Sequence, residues 1–554
     1  AAALIRTAYS STTTPVPSLA DQPQTKDTSM ENSTSTPTVA ARKDSDDGVS
    51  EFGYSQTLER SLGSFATFAA GVSFISILTG CFQLFYFGFG FGGPAYWWTW
   101  PMVFVGQLMV ALCFAELAAR YPVAGSIYNW AKRMANPAVS WLGGWLLVFA
   151  TVFTLTGAAL ALQITLPQIW SGFQVIGDGT GQYDFALNGV LLGAVLIIFT
   201  TLVNAYGVKL MARINSAGVF IELIAAVALI IALLFHIKQP ISVIFETNNA
   251  PETHNMGFLG AFLVASLASG FVMFGFDTAS SLGEEAKDPK KSSPKSVLRA
   301  VNASFWLGGA ILLLGILSAS DINDPKITSG DGGLQYLVLS ALGEPVGKIF
   351  LCAVAIAIVV CVLAIHTAAI RAVFAMSRDN NLPFAVQLSK VHPVSKTPIL
   401  PAIVIGVVGL LILVVNVGQP QIFTVVTSVA VVFIYAAYLT VTVPMLIKRI
   451  KGEWPGEGPG KGYFSLGRWG LPVNIIAVIW GTLMALNLVW PREELYGAYP
   501  WGGVIMVLGI GGGGFLYYWF RLRSNTKILS GHLAGDADAD SLEPAVERSA
   551  SALQ

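Results

Sequence analysis

Phe271-Val272-Met273-Phe274-Gly275-Phe276-Asp277-Thr278-Ala279-Ser280-Ser281-Leu282-Gly283-Glu284-Glu285 is an apolar stretch interrupted by six charged or hydroxyl residues and two glycines. In hydrocarbon an unpaired backbone group or the Asp277 carboxylate costs several kcal/mol, so such a stretch is tolerated at membrane depth only where protein walls it around a cavity. The segment predicts a membrane helix broken at mid-depth beside a polar site.

The rest of the chain supplies the membrane. Of 554 residues, 54% are hydrophobic and 12% charged, against roughly 25% charged in soluble domains. Apolar runs of the length that crosses a bilayer, about 20 residues, recur twelve times. They fall near 64–88, 95–118, 139–164, 186–207, 212–236, 258–283, 300–319, 346–377, 399–417, 421–447, 470–490 and 501–520. The runs at 346–377 and 421–447 contain no central turn signal and read as single tilted helices.

Net charge is zero, but its distribution is not even. With the N-terminus inside, Arg120, Lys132, Arg133, Lys209, Arg213, the cluster from Lys287 to Arg299, Arg371, Arg378, Lys390, Lys396 and the cations from Lys448 to Arg468 all fall on the cytoplasmic side. Only Lys238, Lys326, Lys348 and Arg492 fall outside. This obeys the positive-inside rule with both termini cytoplasmic, and one miscounted helix would scramble it.

Residues 1–55 are rich in Ser, Thr, Pro and Asp and read as a disordered cytoplasmic tail. The tail has no signal-peptide pattern, and Met30 is a candidate natural start, which would place residues 1–29 upstream of it. Residues 56–450 form a ten-helix core, with repeats at about 60–237 and 256–450. Residues 451–469 are a Gly/Pro-rich cytoplasmic connector, 470–520 two further helices, and 521–554 a second cytoplasmic tail. The apolar patch from Leu334 to Leu342 reads as a short helix in the external loop.

Ten helices divide into two sets of five, and 258–283 opens the second. The first opens the same way, with Gly71, Ser73, Ser76, Thr79 and Gly80 at mid-span. Interrupted spans at matching positions of two halves point to an inverted-repeat transporter with its site at the midplane. Small residues also serve plain helix packing, a reading weakened by the match between halves.

The four cysteines show no CxxC or histidine-paired spacing, so neither a disulfide nor a metal site is expected. HExxH, P-loop and Ser/His/Asp signatures are missing, which argues against an enzyme or an ATP-driven pump. No cofactor and no nucleic-acid partner are expected. A channel would need a charged ring or filter loop, which the chain lacks.

Several blocks resemble the amino acid–polyamine–organocation superfamily, and within it the amino acid/choline transporters that include GABA permeases. These are Gly92-Gly93-Pro94-Ala95, Ala115-Glu116-Leu117, Tyr121-Pro122 with Gly125 and Tyr128, Gly275-Phe276-Asp277, Glu284 to Pro289, Arg371, and Ser377-Arg378-Asp379 with Leu382-Pro383. The similarity runs from about Leu62 to Phe520. Val123-Ala124-Gly125-Ser126 and Asn380 depart from the family pattern at the cytoplasmic face. The resemblance implies an all-α, leucine-transporter-type fold with broken helices 1 and 6 and two extra C-terminal helices.

It also implies the site. Ser76, Thr79 and Gly80 would hold a substrate carboxylate on backbone N–H groups freed at the break, and the Phe274–Asp277 backbone, with Gly275, an ammonium group. Phe274 and Phe276 offer an aromatic face to the substrate or plain core packing. Asp277 either meets a substrate cation or coupling proton, or caps the helix that resumes after the break. Glu284 and Glu285 form an inner gate or simple ion pairs.

Glu116 and Arg120 stand at i,i+4 spacing and are expected to pair. Glu222 and His366, deeper in their spans, serve proton coupling or buried hydrogen bonds. Thr367 is the one obvious mid-helix hydroxyl for a sodium site on helix 8, so a proton is the expected coupling ion. The reading is secondary uptake, across the plasma membrane, of an amino acid or related small amine. The alternative is an exchanger or carrier for choline or polyamines, and a transport-like receptor stands further off.

Overall fold

The computed structural model describes residues 63–524 apart from 124, 255–256, 287, 394, 416–421 and 457–461. The expected N-terminal tail with Met30 and the expected C-terminal tail beyond 524, together with Ala124, Lys287 and Lys461, lie outside the described residues, as does the side chain of Glu284, while residues 521–522 of the expected tail continue the last helical stretch. Among the described residues the regular structure is helical, and ten stretches are long and apolar enough to cross a membrane.

The first span is a chain of pieces: α1 (Ser64–Ile75), α2 (Ile77–Gln83) and α3 (Phe85–Gly92). A 3-10 turn at Gly93–Trp98, with Pro94 near its start, leads into α4 (Thr99–Arg120). Tyr121-Pro122 ends α4, since the residue before proline is pushed out of the helical region. α5 (Ser126–Met134) is a short helix, and α6 (Pro137–Ile169) starts on Asn136, whose side chain accepts from the Val139 amide at 2.9 Å. α7 (Asp184–Tyr206) and α8 (Val208–Leu234) complete the first half.

A four-residue helix, α9 (Ala250–Thr253), precedes the segment that decided the fold. There, α10 (Phe258–Val272) stops at the expected break, and only one turn, α11 (Thr278–Ser281), follows it. The run read near 258–283 is thus interrupted within its own limits, as the sequence suggested. Gly275 adopts φ 85°, which the right-handed helix cannot accommodate.

The second half continues with α12 (Pro289–Leu317), which starts about three turns before the expected 300 because its polar first turns are also helical. Then come α13 (Gly333–Leu342), a short helix where one was expected, and α14 (Glu344–Arg378), one unbroken helix of 35 residues. α15 (Ala385–Leu388), α16 (Ile399–Val415) and α17 (Ile422–Ile450) follow. α18 (Gly470–Val489) and a helical stretch at 502–522 with π turns complete the described chain. α10 and α16, at 15 and 17 residues, are shorter than the spans expected there.

The interior is built from α1, α6, α10, α14 and α17, with α14 and α17 packed along α6 and α12 against α1 and α4. Outward faces carry exposed apolar side chains, such as Phe199 and Leu202 on α7, Ile224 and Ile231 on α8 and Ile479 on α18. A soluble protein would bury them, and here they form the face that lipid covers.

Candidate functional site

The two breaks meet in the core. α1 ends at Ile75, and Ser76 takes φ 41° and ψ 96° before α2 begins. A non-glycine residue there carries strain on the order of 1 kcal/mol that its surroundings must offset. They do so with hydrogen bonds: the Ser76 amide donates to the Val72 carbonyl at 2.7 Å, and the Ser76 hydroxyl lies 2.6 Å from Thr79 Oγ1 and 2.9 Å from Glu222 Oε1. The Leu78 amide donates to the same Glu222 oxygen at 3.1 Å.

Gly80 brings this break against helix 6, since a Cβ there would sit 2.5 Å from the Val272 side chain. Its amide donates to the Ser76 carbonyl at 2.9 Å, so it is committed to the resumed helix.

Across from it, the chain leaves α10 at Val272 and turns through Met273, Phe274 and Gly275. A Cβ on Gly275 would fall within 2 Å of the Phe74 ring, so the φ and the close approach both require glycine. The Gly275 amide donates to the Tyr438 hydroxyl at 2.9 Å, and that hydroxyl donates to Asp277 Oδ1 at 2.8 Å. Asp277 Oδ2 accepts from Ser126 on α5 at 2.9 Å, and Ser126 Oγ lies 3.0 Å from Ser281 Oγ.

Asp277 thus makes no side-chain bond to the turn it precedes, and the capping alternative gives way to a link between α17 and α5. The reason is direction: the carboxylate faces α17 and α5 instead of the first amides of α11.

Phe274 and Phe276 are buried. Phe274 meets Phe74 and Phe271 edge-on, and Phe276 packs between Phe114 and Tyr438. A cavity of about 10 Å³, lined by Phe74, Thr151, Asp277, Thr278, Ser281 and Ala372 among others, adjoins the carboxylate. That is room for one water, so the centre is closed around the two breaks.

At the end of the bundle that carries α5 and the 451–469 connector, buried ion pairs close the interior. Arg371 on α14 reaches Glu285 through Nε at 2.8 Å and Nη2 at 2.7 Å, with both side chains at 3% exposure or less. Lys132 pairs with Asp379, which also accepts from the Tyr128 hydroxyl at 2.7 Å. Glu116 pairs with Arg449 and accepts from Trp454 Nε1 at 3.0 Å and the Leu466 amide at 2.9 Å.

The expected Glu116–Arg120 pair is corrected accordingly. Glu116 turns inward, where α17 and the connector supply its donors, while Arg120 donates to the Pro455 carbonyl and lies over the Trp454 ring.

Two residues stand away from the breaks. His366 holds Thr200 Oγ1 at 3.0 Å through Nδ1 and the Ala402 carbonyl at 3.1 Å through Nε2, tying α14 to α7 and α16. Thr367 donates to Asn204 Oδ1 at 2.8 Å, on α7 and not toward helix 1. Glu222, by contrast, reaches the first break directly.

Tyr438 escaped the sequence reading, as did the links of Ser126 and Glu222 into the breaks. Tyr438 sits in an apolar run where nothing marks an inward face, so only its hydroxyl was available as a signal.

The sequence profile of the family described as Amino acid permease matches residues 62–512. The chain is 26% identical to the amino-acid permease BAT1 of Arabidopsis thaliana, over 80% of this chain and 88% of the relative. It is 24% identical to amino-acid permease 2 of Neurospora crassa, over 84% and 85%. It is also similar to the methylthioribose transporter of Bacillus subtilis, at 27% identity over 68% and 82%.

Proposed function

This chain belongs to the amino acid permease family of the amino acid–polyamine–organocation superfamily, and from that premise we propose that it is a proton-coupled secondary carrier for an amino acid or a related small amine. It is a multi-pass membrane transporter and not an enzyme. In our reading it crosses the plasma membrane twelve times with both termini cytoplasmic. The ten-helix core at 56–450 is a 5+5 inverted repeat, the connector spans 451–469, and the helices of 470–520 are appended.

One observation carries the reading: two helix breaks, five helices apart in the chain, face each other in the core, and each holds a buried carboxylate with no cation among the described residues. Backbone freed at such breaks recognises both ends of a zwitterion. The Ser76 and Thr79 hydroxyls receive the carboxylate beside Gly80, whose own amide stays in the resumed helix, and Phe274, Gly275, Phe276 and Asp277 frame the amine. Glu222 and Asp277 are the groups best placed to exchange a proton, with His366 a more distant third.

Transport alternates by opening either the Arg371–Glu285 side or the outer side around this centre. The names of the relatives support amino acids as cargo, while the methylthioribose transporter among them argues for testing beyond amino acids. The test is uptake into proteoliposomes, driven by a pH step without sodium, screened across GABA, neutral and basic amino acids, choline and polyamines. Accumulation of an amino acid under the pH step is the expected result. Strict sodium dependence would overturn proton coupling, and exclusive uptake of choline or polyamines would overturn the cargo class.

A further inference from the structure

The donors at the helix 1 break already have an occupant from within the chain. Glu222, on α8, is 1% exposed and sends Oε1 to the Ser76 hydroxyl and the Leu78 amide, while Oε2 has no partner. The buried cations are committed elsewhere, Arg371 to Glu285, Lys132 to Asp379 and Arg449 to Glu116. The other titratable groups facing Glu222 are the thiols of Cys81 on α2 and Cys361 on α14, and the remaining described elements bring no Lys, Arg, His, Asp or Glu to it. A carboxylate of the protein therefore lies where the family reading puts a carboxylate of the substrate.

We propose that Glu222 is a built-in competitor for the substrate carboxylate, so that a carboxylate-bearing substrate binds only as Glu222 takes up a proton. Ionised, Glu222 holds the Ser76 hydroxyl and the Leu78 amide. Two carboxylates cannot share those donors in a dry site without a cation, because their mutual repulsion is little screened there. A proton arriving from the side of entry adds to the unpartnered Oε2, neutralises the group and weakens its hold on both donors. The substrate carboxylate then accepts from them.

On release the substrate leaves, Glu222 regains the donors and the proton departs to the same side. One proton travels with each carboxylate. An amine without a carboxylate has no need of these donors and binds without displacing Glu222.

This rests on the assignment of Ser76, Thr79 and Gly80 to the substrate carboxylate. Its sign is definite: affinity for a carboxylate-bearing probe rises as pH falls, by up to about tenfold per pH unit above the pH where Glu222 titrates. Affinity for the matched amine stays flat.

The experiment measures binding to the full-length carrier in lipid nanodiscs from about pH 5.5 to pH 8, a span chosen to cover one linked proton. The probes are GABA, L-alanine and L-lysine, each beside its decarboxylated counterpart propylamine, ethylamine or cadaverine. At least one acid tightening about tenfold or more across the range, with its amine changing less than about twofold, is the expected result. Glu222→Gln should flatten the acid curve.

Equal pH slopes for acid and amine would overturn the proposal, as would a Glu222→Gln protein that keeps the wild-type slope. Binding of the amines alone would also overturn it. The acid-against-amine comparison uses the unaltered protein, so it stands even if the variant misfolds. A carrier with the expected binding slope that accumulates only with sodium sinks proton coupling and leaves the competition intact. Accumulation driven by pH with flat binding does the reverse.

Discussion

The two breaks are opposites in construction. In helix 1 a single residue, Ser76, leaves the helix and α2 resumes at once, held by Glu222 from α8. In helix 6 five residues, 273–277, separate α10 from a single turn, held by Tyr438 of α17 and Ser126 of α5. The first is tethered to a buried carboxylate at the centre, and the second to α5 and α17, which also carry the buried ion pairs of Lys132 and Arg449. The difference teaches that two interruptions need not do the same work: under the proposed function the first break senses substrate and proton, and the second couples occupancy to the closure at the Arg371–Glu285 end.

The comparison breaks most visibly at the inner closure. Arg371→Met removes both guanidinium contacts to the Glu285 carboxylate, and taking one member out of a buried ion pair costs about 3–5 kcal/mol. A large drop in the thermal stability of the purified carrier is expected. An unshifted melt would show that the pair is not part of the closure.

Next in size is Gly275→Ala, which combines an unfavourable φ with a clash against Phe74 for about 2–4 kcal/mol. Transport should be lost and recovered in part by Phe74→Ala, as counterflow would show. Absence of rescue would separate Phe74 from the helix 6 break.

Tyr438→Phe removes the hydroxyl that joins the Gly275 amide to Asp277, worth about 1–3 kcal/mol in unmet hydrogen bonding. Cysteine labelling from the side of the Arg371–Glu285 pair should then report a more open path with an unchanged pH profile of binding. Ser76→Ala should do the converse, altering the pH profile and leaving inner accessibility as it was. If both variants move the same readout, the division of labour between the breaks fails.

The smallest effect, about 1 kcal/mol or less in stability, is expected of Thr200→Ala, which takes one partner from His366. The pH profile of uptake should not move. A displaced profile would bring His366 into the proton path and away from its place between α7, α14 and α16.

Much of the helix map was legible because a bilayer imposes a length and a charge asymmetry that any apolar run must obey. α14 and α17 read as single helices and proved to be so, since neither carries a turn signal at its centre. The helix 6 break was legible at Gly275 and the helix 1 break as the region from Ser76 to Gly80, of which only Ser76 leaves the helix while Thr79 and Gly80, expected to free their backbone, lie inside α2.

The partners of those residues were not legible. Glu116 was assigned to Arg120 by helical spacing, yet its cation comes from Arg449, more than 300 residues away. Asp277 read either as a charge for substrate or proton or as a cap, and neither reading named Tyr438 and Ser126, which it binds.

The sequence by itself determined that this chain is a series of apolar spans with unevenly placed cations and two interrupted stretches, because each of those properties is a local cost set against lipid. Only the tertiary structure decided what each interruption faces. In a soluble helix a polar stripe marks the outward side, but in a membrane both faces are apolar. The rotation that points Glu222 at Ser76 and Tyr438 at Asp277 is set by packing between helices far apart in the chain.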